Sequence, residues 1–516
     1  MSVHSFVHQS FDLQSIEVEI SLLKGLPNFQ IMGMPDSAIK ESLFRIKSAL
    51  KHQGFSWPKA QQVLVNLRPA HVKKTSPGLD LAIAYAYLLK TKQIKPLHIL
   101  KKGKLFAYGE LNLEGKIFIP ENFLYNNLNL TKDDVLVSGI DENFIFSGES
   151  YFINSLSDLK FSTKQTEPNQ QNIKSNQEST NKIKDKFIST RPQFLDLTFP
   201  LNVSELLSVA GVGGHSLFLA GPAGSGKSTF CKALHQLQSD PSLEEIQEIK
   251  KISQYFGKPC KWRPLVSPHH STPALSIIGC GYPPQPGEIT RANGGTLVLD
   301  EFLEFASQAQ EALREPLESG EIFVSRRGKN CKFPAKFQLI ATSNLCKCGD
   351  LVPKIPINCS YSLARCRSYL EKLSGPLLDR FSILSFTHKW KDKSNNLNLF
   401  DETLDNEKYL SVEKIFKQVQ SVREFIKKDR PWQKTTNHFL LKNQIIKNTE
   451  NIERIDEFYY KNCMPLFKSY RRELAFLRVA RTYADLDLSS KIEKQHLEKA
   501  REMCVQSFYD LKQIFC

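Results

Sequence analysis

Along the first third of the chain the apolar residues follow two kinds of spacing. Ser15-Ile16-Glu17-Val18-Glu19-Ile20 alternates strictly, as a half-buried strand does, and Gln62-Val63-Leu64-Val65-Asn66-Leu67 reads as a second strand. Between them Asp36 caps a helix whose apolar positions Ile39, Leu43, Ile46 and Leu50 fall on one face until Gly54 ends the run. Leu79 to Leu89 forms a mostly apolar helix, and Leu105 to Ile119 reads as a hairpin turning at Glu114-Gly115. Residues 1 to about 160 therefore read as a mixed α/β domain. From Thr163 to about Lys186 the sequence TKQTEPNQQNIKSNQESTNKIKDK has almost no apolar residues and no period, which predicts a flexible linker.

Beyond the linker the pattern changes to short continuous apolar runs. Leu217-Phe218-Leu219-Ala220 reads as a buried parallel strand, broken by a glycine-rich turn from Gly221 to Gly226, after which Lys227-Ser228-Thr229 opens a helix. Thr296-Leu297-Val298-Leu299 is a second such strand, followed by Asp300-Glu301 and a helix from Ser307 to Leu317. Between Ser228 and Asp300 lies more chain than one helix and one strand need, so the loop-like stretches 267–272 (SPHHST) and 277–289 predict an inserted feature. Next come Glu321 to Arg326, a basic turn Arg327 to Asn330, and Phe337 to Ala341, read as a β-hairpin with Arg326, Arg327, Lys329 and Lys332 around its tip. Asn344 ends the second of these strands. From about residue 405 the chain is helical, most clearly at Tyr470 to Arg481.

The strand, glycine turn and helix at 217–230 spell G-x-x-x-x-G-K-S. In Gly221-Pro222-Ala223-Gly224-Ser225-Gly226-Lys227-Ser228-Thr229 the backbone N–H groups face phosphates, Lys227 reaches the β/γ oxygens and the Ser228 hydroxyl ligates Mg²⁺. The helix N-terminus adds partial positive charge. Behind such a loop, acids at the end of a buried strand complete the site: Asp300 holds the metal and Glu301 polarises the attacking water, while Asn344 orients that water. The cofactors expected are ATP and Mg²⁺. The adjacent His269 and His270 read as supporting or surface groups rather than metal ligands.

Composition narrows the partners. With 516 residues the chain holds several domains, and 69 Lys and Arg against 54 Asp and Glu leave +15, which favours a polyanion such as nucleic acid. No apolar run is long enough for a membrane span and the first residues do not form a signal peptide, so a cytoplasmic protein with no membrane partner is expected. The 11 cysteines do not suggest a disulfide framework. Cys346, Cys348, Cys359 and Cys366 cluster after Asn344 and are either a Zn²⁺ site or reduced loop thiols.

Taken together, GPAGSGKST, RPLVSPHHST, PGEITRANGGTLVLDEF, LREPLESGEIFVSR, FPAKFQLIATSN, LSGPLLDRF and VARTYADL resemble the magnesium-chelatase-like AAA+ family of ComM, also called YifB. The N-terminal KGLPNFQIMGMPDSAIKESLFRIKSAL, VNLRPA and YGEL extend the likeness. The resemblance implies an α/β architecture: an α+β Lon-protease-like domain over 1–162, a linker over 163–193, a P-loop AAA+ core with a helix-2 insert over 194–390, and a C-terminal helical lid over 391–516. It implies a homohexameric ring with ATP between subunits, Arg380 as an arginine finger, Asn344 as sensor 1 and Arg471 as sensor 2. It also implies a DNA motor that drives branch migration of recombination intermediates during natural transformation. The zinc-ribbon pattern belongs to the family as well, but Tyr361 stands in place of its fourth cysteine, so Cys366 serves only if the loop folds back. The family's V-x-G-Q-E-x-A stretch is replaced by LTFPLNVSELL at 197–207, and the nucleotide-base contacts do not carry over.

Three other functions compete. A protease is disfavoured because KKTSPGLDLAI at 73–83 places Gly78 where the Lon serine would be, with Ser76 two residues early. A magnesium-chelatase motor subunit would share the ATPase core but lack the Lon-like domain. An AAA+ chaperone acting on protein clients fits the same core.

Overall fold

The computed structural model describes the chain apart from residues 1, 10–11, 34, 36, 59, 71–77, 97–102, 120–129, 132, 140–148, 161–186, 188, 259, 283, 327–328, 350, 352–360, 374, 391–408, 447–468, 509–510 and 512–516. Asp36, Ser76, Arg327, Cys359 and most of the expected linker thus lie outside the described residues. The fold divides into two compact units, Met1–Lys182 and Ile183–Cys516.

The first unit is built on a seven-stranded sheet. Its strands are β1 (Val3–Gln9), β2 (Asp12–Lys24), β3 (Asn28–Met32), β4 (Gln61–Arg68), β5 (Leu105–Tyr108), β6 (Val135–Ser138) and β7 (Glu149–Phe152), in the order β3-β4-β2-β1-β5-β6-β7. The alternation of β2 works as its pattern requires. Val18 lies opposite Val3 on one side and Leu67 on the other, and Ile16, Val18, Val63, Val65 and Leu67 all point into one core. Helix α1 (Ser37–His52) buries Ile39, Ile46, Ala49 and Leu50 in that core. Helix α2 (Leu79–Lys90) is buried from Leu79 through Leu88, so an apolar helix without a polar face is in its proper place.

The hairpin expected over Leu105–Ile119 is much smaller. Leu105–Tyr108 instead forms β5, parallel to both β1 and β6 and buried at all four residues, and only Glu110–Leu111 pairs with Ile117–Phe118 around Gly115. Four consecutive apolar residues suit a strand covered on both faces, whereas a hairpin arm with one wet face would alternate. At Gly78 any Cβ would collide with the Tyr108 ring, so the position that matches the Lon serine accepts no side chain.

The second unit contains a five-stranded, all-parallel sheet. Strands β8 (Leu217–Ala220), β9 (Leu265–Val266), β10 (Thr296–Leu299), β13 (Gln338–Ser343) and β14 (Ile383–Phe386) lie in the order β9-β10-β13-β8-β14. Outside it β11 (Glu321–Arg326) pairs antiparallel with β12 (Lys329–Pro334). Helices α3 (Leu201–Gly213), α4 (Lys227–Gln236), α7 (Val412–Asp429), α8 (Tyr470–Leu486) and α9 (Lys494–Arg501) surround the sheet, with α5 (Leu243–Tyr255) and α6 (Leu363–Leu370) between strands. One continuous core runs from Leu217, Leu219, Ile340 and Ile383 of the sheet to Val419, Phe476, Val479 and Leu497 of the C-terminal helices. Among the described residues no helix is long and apolar enough to cross a membrane.

Two sequence expectations need correction here. The basic hairpin closes between β11 and β12, and the stretch from Gln338 is not its second arm but the fully buried strand β13 of the central sheet. The helix expected over Ser307–Leu317 breaks into Ser307–Glu311 and Arg314–Ser319. Pro316 explains the break, because it has no N–H to donate to Ala312 and its ring crowds that carbonyl.

Candidate nucleotide site

Parallel pairing brings the ends of three strands to one edge. Ala220 of β8 is in register with Ser343 of β13, and Leu299 of β10 with Ala341, so the P-loop, the acidic pair and Asn344 all emerge together. The P-loop leaves β8 at Gly221, whose N–H donates to the Ser343 carbonyl at 3.1 Å. A Cβ at Gly221 would run into the Thr387 hydroxyl. Gly224 and Gly226 adopt left-handed backbone (φ +70° and +86°) with nothing within 4 Å of where a Cβ would project, leaving an open cradle. Thr387 donates to Ser225 Oγ at 2.7 Å, and Ser225 to the Pro222 carbonyl at 2.8 Å, which fixes the loop's shape.

Lys227 sits at the centre of this cradle. Its Nζ donates to the carbonyls of Gly221 and Pro222, both at 2.7 Å, and to Asn344 Oδ1 at 3.1 Å. Burial pulls the Lys227 pKa below its ordinary value, while Asp300, Cys231 and Glu301 pull it back up. Asp300 accepts a hydrogen bond from Thr342 Oγ1, a strand neighbour whose role the sequence did not disclose. Glu301 follows in left-handed conformation (φ +54°), rare for a residue with a Cβ and kept only where the surroundings over-determine it. Buried Phe302 and Leu303 provide that restraint. The Glu301 carboxylate lies 3.1 Å from His270 Nδ1.

The donors fit a magnesium triphosphate. Positive-φ glycines, a lysine that satisfies itself on loop carbonyls, the exposed Ser228 at the helix start and Asp300 form an anion cradle with hard oxygen ligands beside it. Bound there, Mg²⁺ and the triphosphate would supply the electrophilic phosphorus and charge neutralisation. Lys227 would hold phosphate oxygens, Ser228 and Asp300 the metal, and Glu301 a water.

A second cluster lies on Glu318. Its Oε1 accepts from Arg380 Nη2 at 2.5 Å and from Arg471 Nη2 at 2.8 Å. Arg380 also donates to the Pro376 carbonyl. Burial lowers the Arg380 pKa, Glu318 opposes that, and the neighbouring Arg471 and Arg314 add to the lowering. The structure thus groups Arg471 with Arg380 rather than with Lys227 and Asn344. Arg472 next to it is a structural anchor, buried and donating to the carbonyls of Phe381 (2.9 Å) and Leu378 (2.6 Å). Ser469 caps α8 by accepting from Arg472 N at 3.2 Å, which sets the phase that turns one arginine inward and the other out. No sequence signal marked Glu318 apart from its place in LREPLESGEI.

The two hairpin cations whose side chains are described, Arg326 and Lys332, do not share a face. Lys332 is the partner of Phe323 across the strands, ion-paired with Glu321 at 2.5 Å and lying over the Phe323 ring. Arg326 is the Cα partner of Lys329 at the hairpin end, while the side chain of Lys329 and all of Arg327 lie outside the described residues. Because facing residues alternate sides with period two, Lys332 and Arg326 belong to opposite faces.

Cys366 does fold back to meet Cys346, at 3.0 Å between sulfurs, both buried. Two thiols make half of a tetrahedral thiolate set, and among the described residues no group of three or more metal-binding side chains forms. Zinc is therefore unsupported.

A parallel sheet with its P-loop strand second from one edge, an Asp-Glu pair on the next strand but one, and a polar residue ending the strand between them define a magnesium-chelatase-like P-loop ATPase. The chain belongs to the magnesium-chelatase-like family of ComM and YifB. Residues 195–395 match the family described as "Magnesium chelatase, subunit ChlI", and residues 16–135 match "Subunit ChlI of Mg-chelatase". The chain is 29% identical over 518 residues to the competence protein ComM of Haemophilus influenzae, covering 96% of each. It is 32% identical over 406 residues to an uncharacterized protein of Mycobacterium tuberculosis, 74% of this chain and 75% of that one. Likeness to the magnesium-chelatase 38 kDa subunit of Rhodobacter capsulatus is 26% over 322 residues, 57% of this chain and 80% of the subunit. Membership implies ATPase activity with ATP and Mg²⁺.

Proposed function

We propose that the protein is an ATP-driven DNA motor that works as a ring, in the cytoplasm, on branched or single-stranded DNA intermediates of the kind met in natural transformation. The observation that carries the motor reading is the separation of two half-sites in one chain. Lys227, Asn344, Asp300 and Glu301 gather at the P-loop, while Arg380 and Arg471 gather on Glu318. Arginines held away from their own lysine suit a finger that completes a neighbour's site, which requires a ring. An apolar pocket beside the loop, lined by Leu197, Phe199, Val203, Gly226, Thr229 and Trp390, takes the nucleotide base. It uses the very stretch, 197–203, that departs from the family's pattern. The charge of +15 and the likeness to ComM over 96% of the chain support DNA as the track.

The likeness to a magnesium-chelatase subunit favours a second reading, a motor acting on a protein partner. ATPase rates of the full chain with forked DNA, a porphyrin or an unfolded protein separate the two. Stimulation by forked DNA alone supports the DNA motor, and stimulation by either of the others with none by DNA refutes it. Lys227→Ala and Glu301→Gln should both stop turnover, the second while still binding ATP.

A further inference from the structure

The SPHHST turn spans residues 267–272. It leaves β9 at the edge of the central sheet and reaches the end of β10, where His270 Nδ1 lies 3.1 Å from Glu301 Oε2. We infer that His270 is a positioning residue for Glu301: it donates Nδ1–H to one carboxylate oxygen and leaves the other to engage the attacking water. The inference rests on the reading of Glu301 as the water-activating group.

Three observations support it. The Glu301 carboxylate is 56% exposed, so packing alone does not hold its flexible side chain, although its backbone is fixed in left-handed geometry. The His270 ring is itself held, tilted against that of His269 at 35° with ring centroids 4.1 Å apart. His269 is in turn tied to its own turn, its Nδ1 lying 2.7 Å from Ser271 Oγ and 3.3 Å from the Ser271 N–H, while Thr272 N donates to the His269 carbonyl at 2.9 Å. A chain of contacts thus runs from the turn through two imidazoles to one carboxylate oxygen. A general base must stay within hydrogen-bond reach of the proton it takes, and a misplacement of about 1 Å can cost on the order of 100-fold in rate.

The chemistry specifies which replacement should work. An asparagine amide nitrogen occupies nearly the place of imidazole Nδ1, whereas a glutamine amide corresponds to Nε2 and points past Glu301.

Steady-state and single-turnover ATPase of the full chain test this with His270→Ala, His270→Asn, His270→Gln and Glu301→Gln, each checked for an unchanged melting midpoint. His270→Ala and His270→Gln should lower kcat by roughly 10- to 100-fold with KM for ATP within about twofold, and His270→Asn should recover most of the loss. Adding His270→Ala to Glu301→Gln should cause no further loss. The inference fails if His270→Ala keeps its kcat while Glu301→Gln is inactive, if Asn rescues no better than Gln, or if the change falls on KM. Should Glu301→Gln itself hydrolyse ATP normally, the reading of Glu301 falls instead. If His270→Ala does not fold, the comparison of Asn with Gln decides.

Discussion

Asp485 tests how the C-terminal helices are fastened to the nucleotide-binding core. Its fully buried carboxylate accepts from Arg430 Nη2 on both oxygens (2.8 and 2.7 Å), from Arg481 Nε on Oδ1 (3.0 Å) and from Asn437 Nδ2 on Oδ2 (2.7 Å). Asn437 also donates to Thr482 Oγ1 at 2.9 Å, and Thr482 meets His215 Nε2 at 2.8 Å, just ahead of β8. Both guanidiniums are only 1% exposed, so Asp485→Asn keeps the volume but leaves two buried cations facing an amide. The remaining acid at Arg430 is Asp429, at 3.4 Å.

Breaking a buried charge pair by removing one partner costs about 3–5 kcal/mol, roughly a fifth or more of a typical net stability of roughly 5–15 kcal/mol. At about 2 °C per kcal/mol, the low end of the range because this unit is large, the melting midpoint should fall by about 6–10 °C. Calorimetry of the full chain without nucleotide reads the shift. Replacing Arg430 by Met in the Asp485→Asn background should restore part of it, since the stranded cation is then gone. A fall under about 2 °C, or additive losses in the double variant, would refute the view of this network as a charge-balanced fastening.

The other expectations are briefer. Arg380→Ala should lower turnover by about 10³- to 10⁵-fold while ATP affinity stays nearly constant, and Arg471→Ala should behave as the same class because both share Glu318; turnover in mixtures with wild-type that falls strictly in proportion to wild-type content would show that Arg380 does not act across subunits. Arg326→Ala with Lys329→Ala should flatten the slope of log DNA affinity against log salt by about one per lost phosphate contact, whereas Lys332→Ala, already neutralised by Glu321, should leave it unchanged; equal effects would contradict the split faces of the hairpin. Burial lowers His235 to about 4 and His438 to about 3, so below pH 6.5 the unfolded chain binds protons that the fold refuses, and stability is lost as pH falls from about 6.5 toward those values. Each such histidine contributes a slope of up to about 1.4 kcal/mol per pH unit, and a melting midpoint that stays flat from pH 7 to pH 5 would exclude it.

Local patterns sufficed wherever the physics is local. The alternation at 15–20, the one-faced helix at 37–52 and the G-x-x-x-x-G-K-S turn each specify their own backbone, and all three stand where the sequence puts them. The P-loop, Asp300 and Glu301 were legible because phosphate and metal chemistry demands particular residues at particular strand ends. Reading failed where partners are distant. Leu105–Tyr108 and Gln338–Ser343 look like hairpin arms because they follow turns, yet both become central parallel strands, a choice made by which neighbours cover their two faces. Glu318 was invisible because a glutamate on a short helix acquires meaning only from Arg380 and Arg471, which lie 62 and 153 residues further along the chain and which the packing of α8 against the LLDRF stretch brings to one oxygen. The sequence marks His270 as a residue but not as a contact, since its distance to Glu301 depends on β9 lying beside β10 in the sheet. The sequence by itself determined which groups could bind and cleave a nucleotide, because residue chemistry travels with the chain. Which of those groups share a carboxylate, a hydrogen bond or a face of a hairpin was decided only by tertiary structure, because long-range pairing sets those distances.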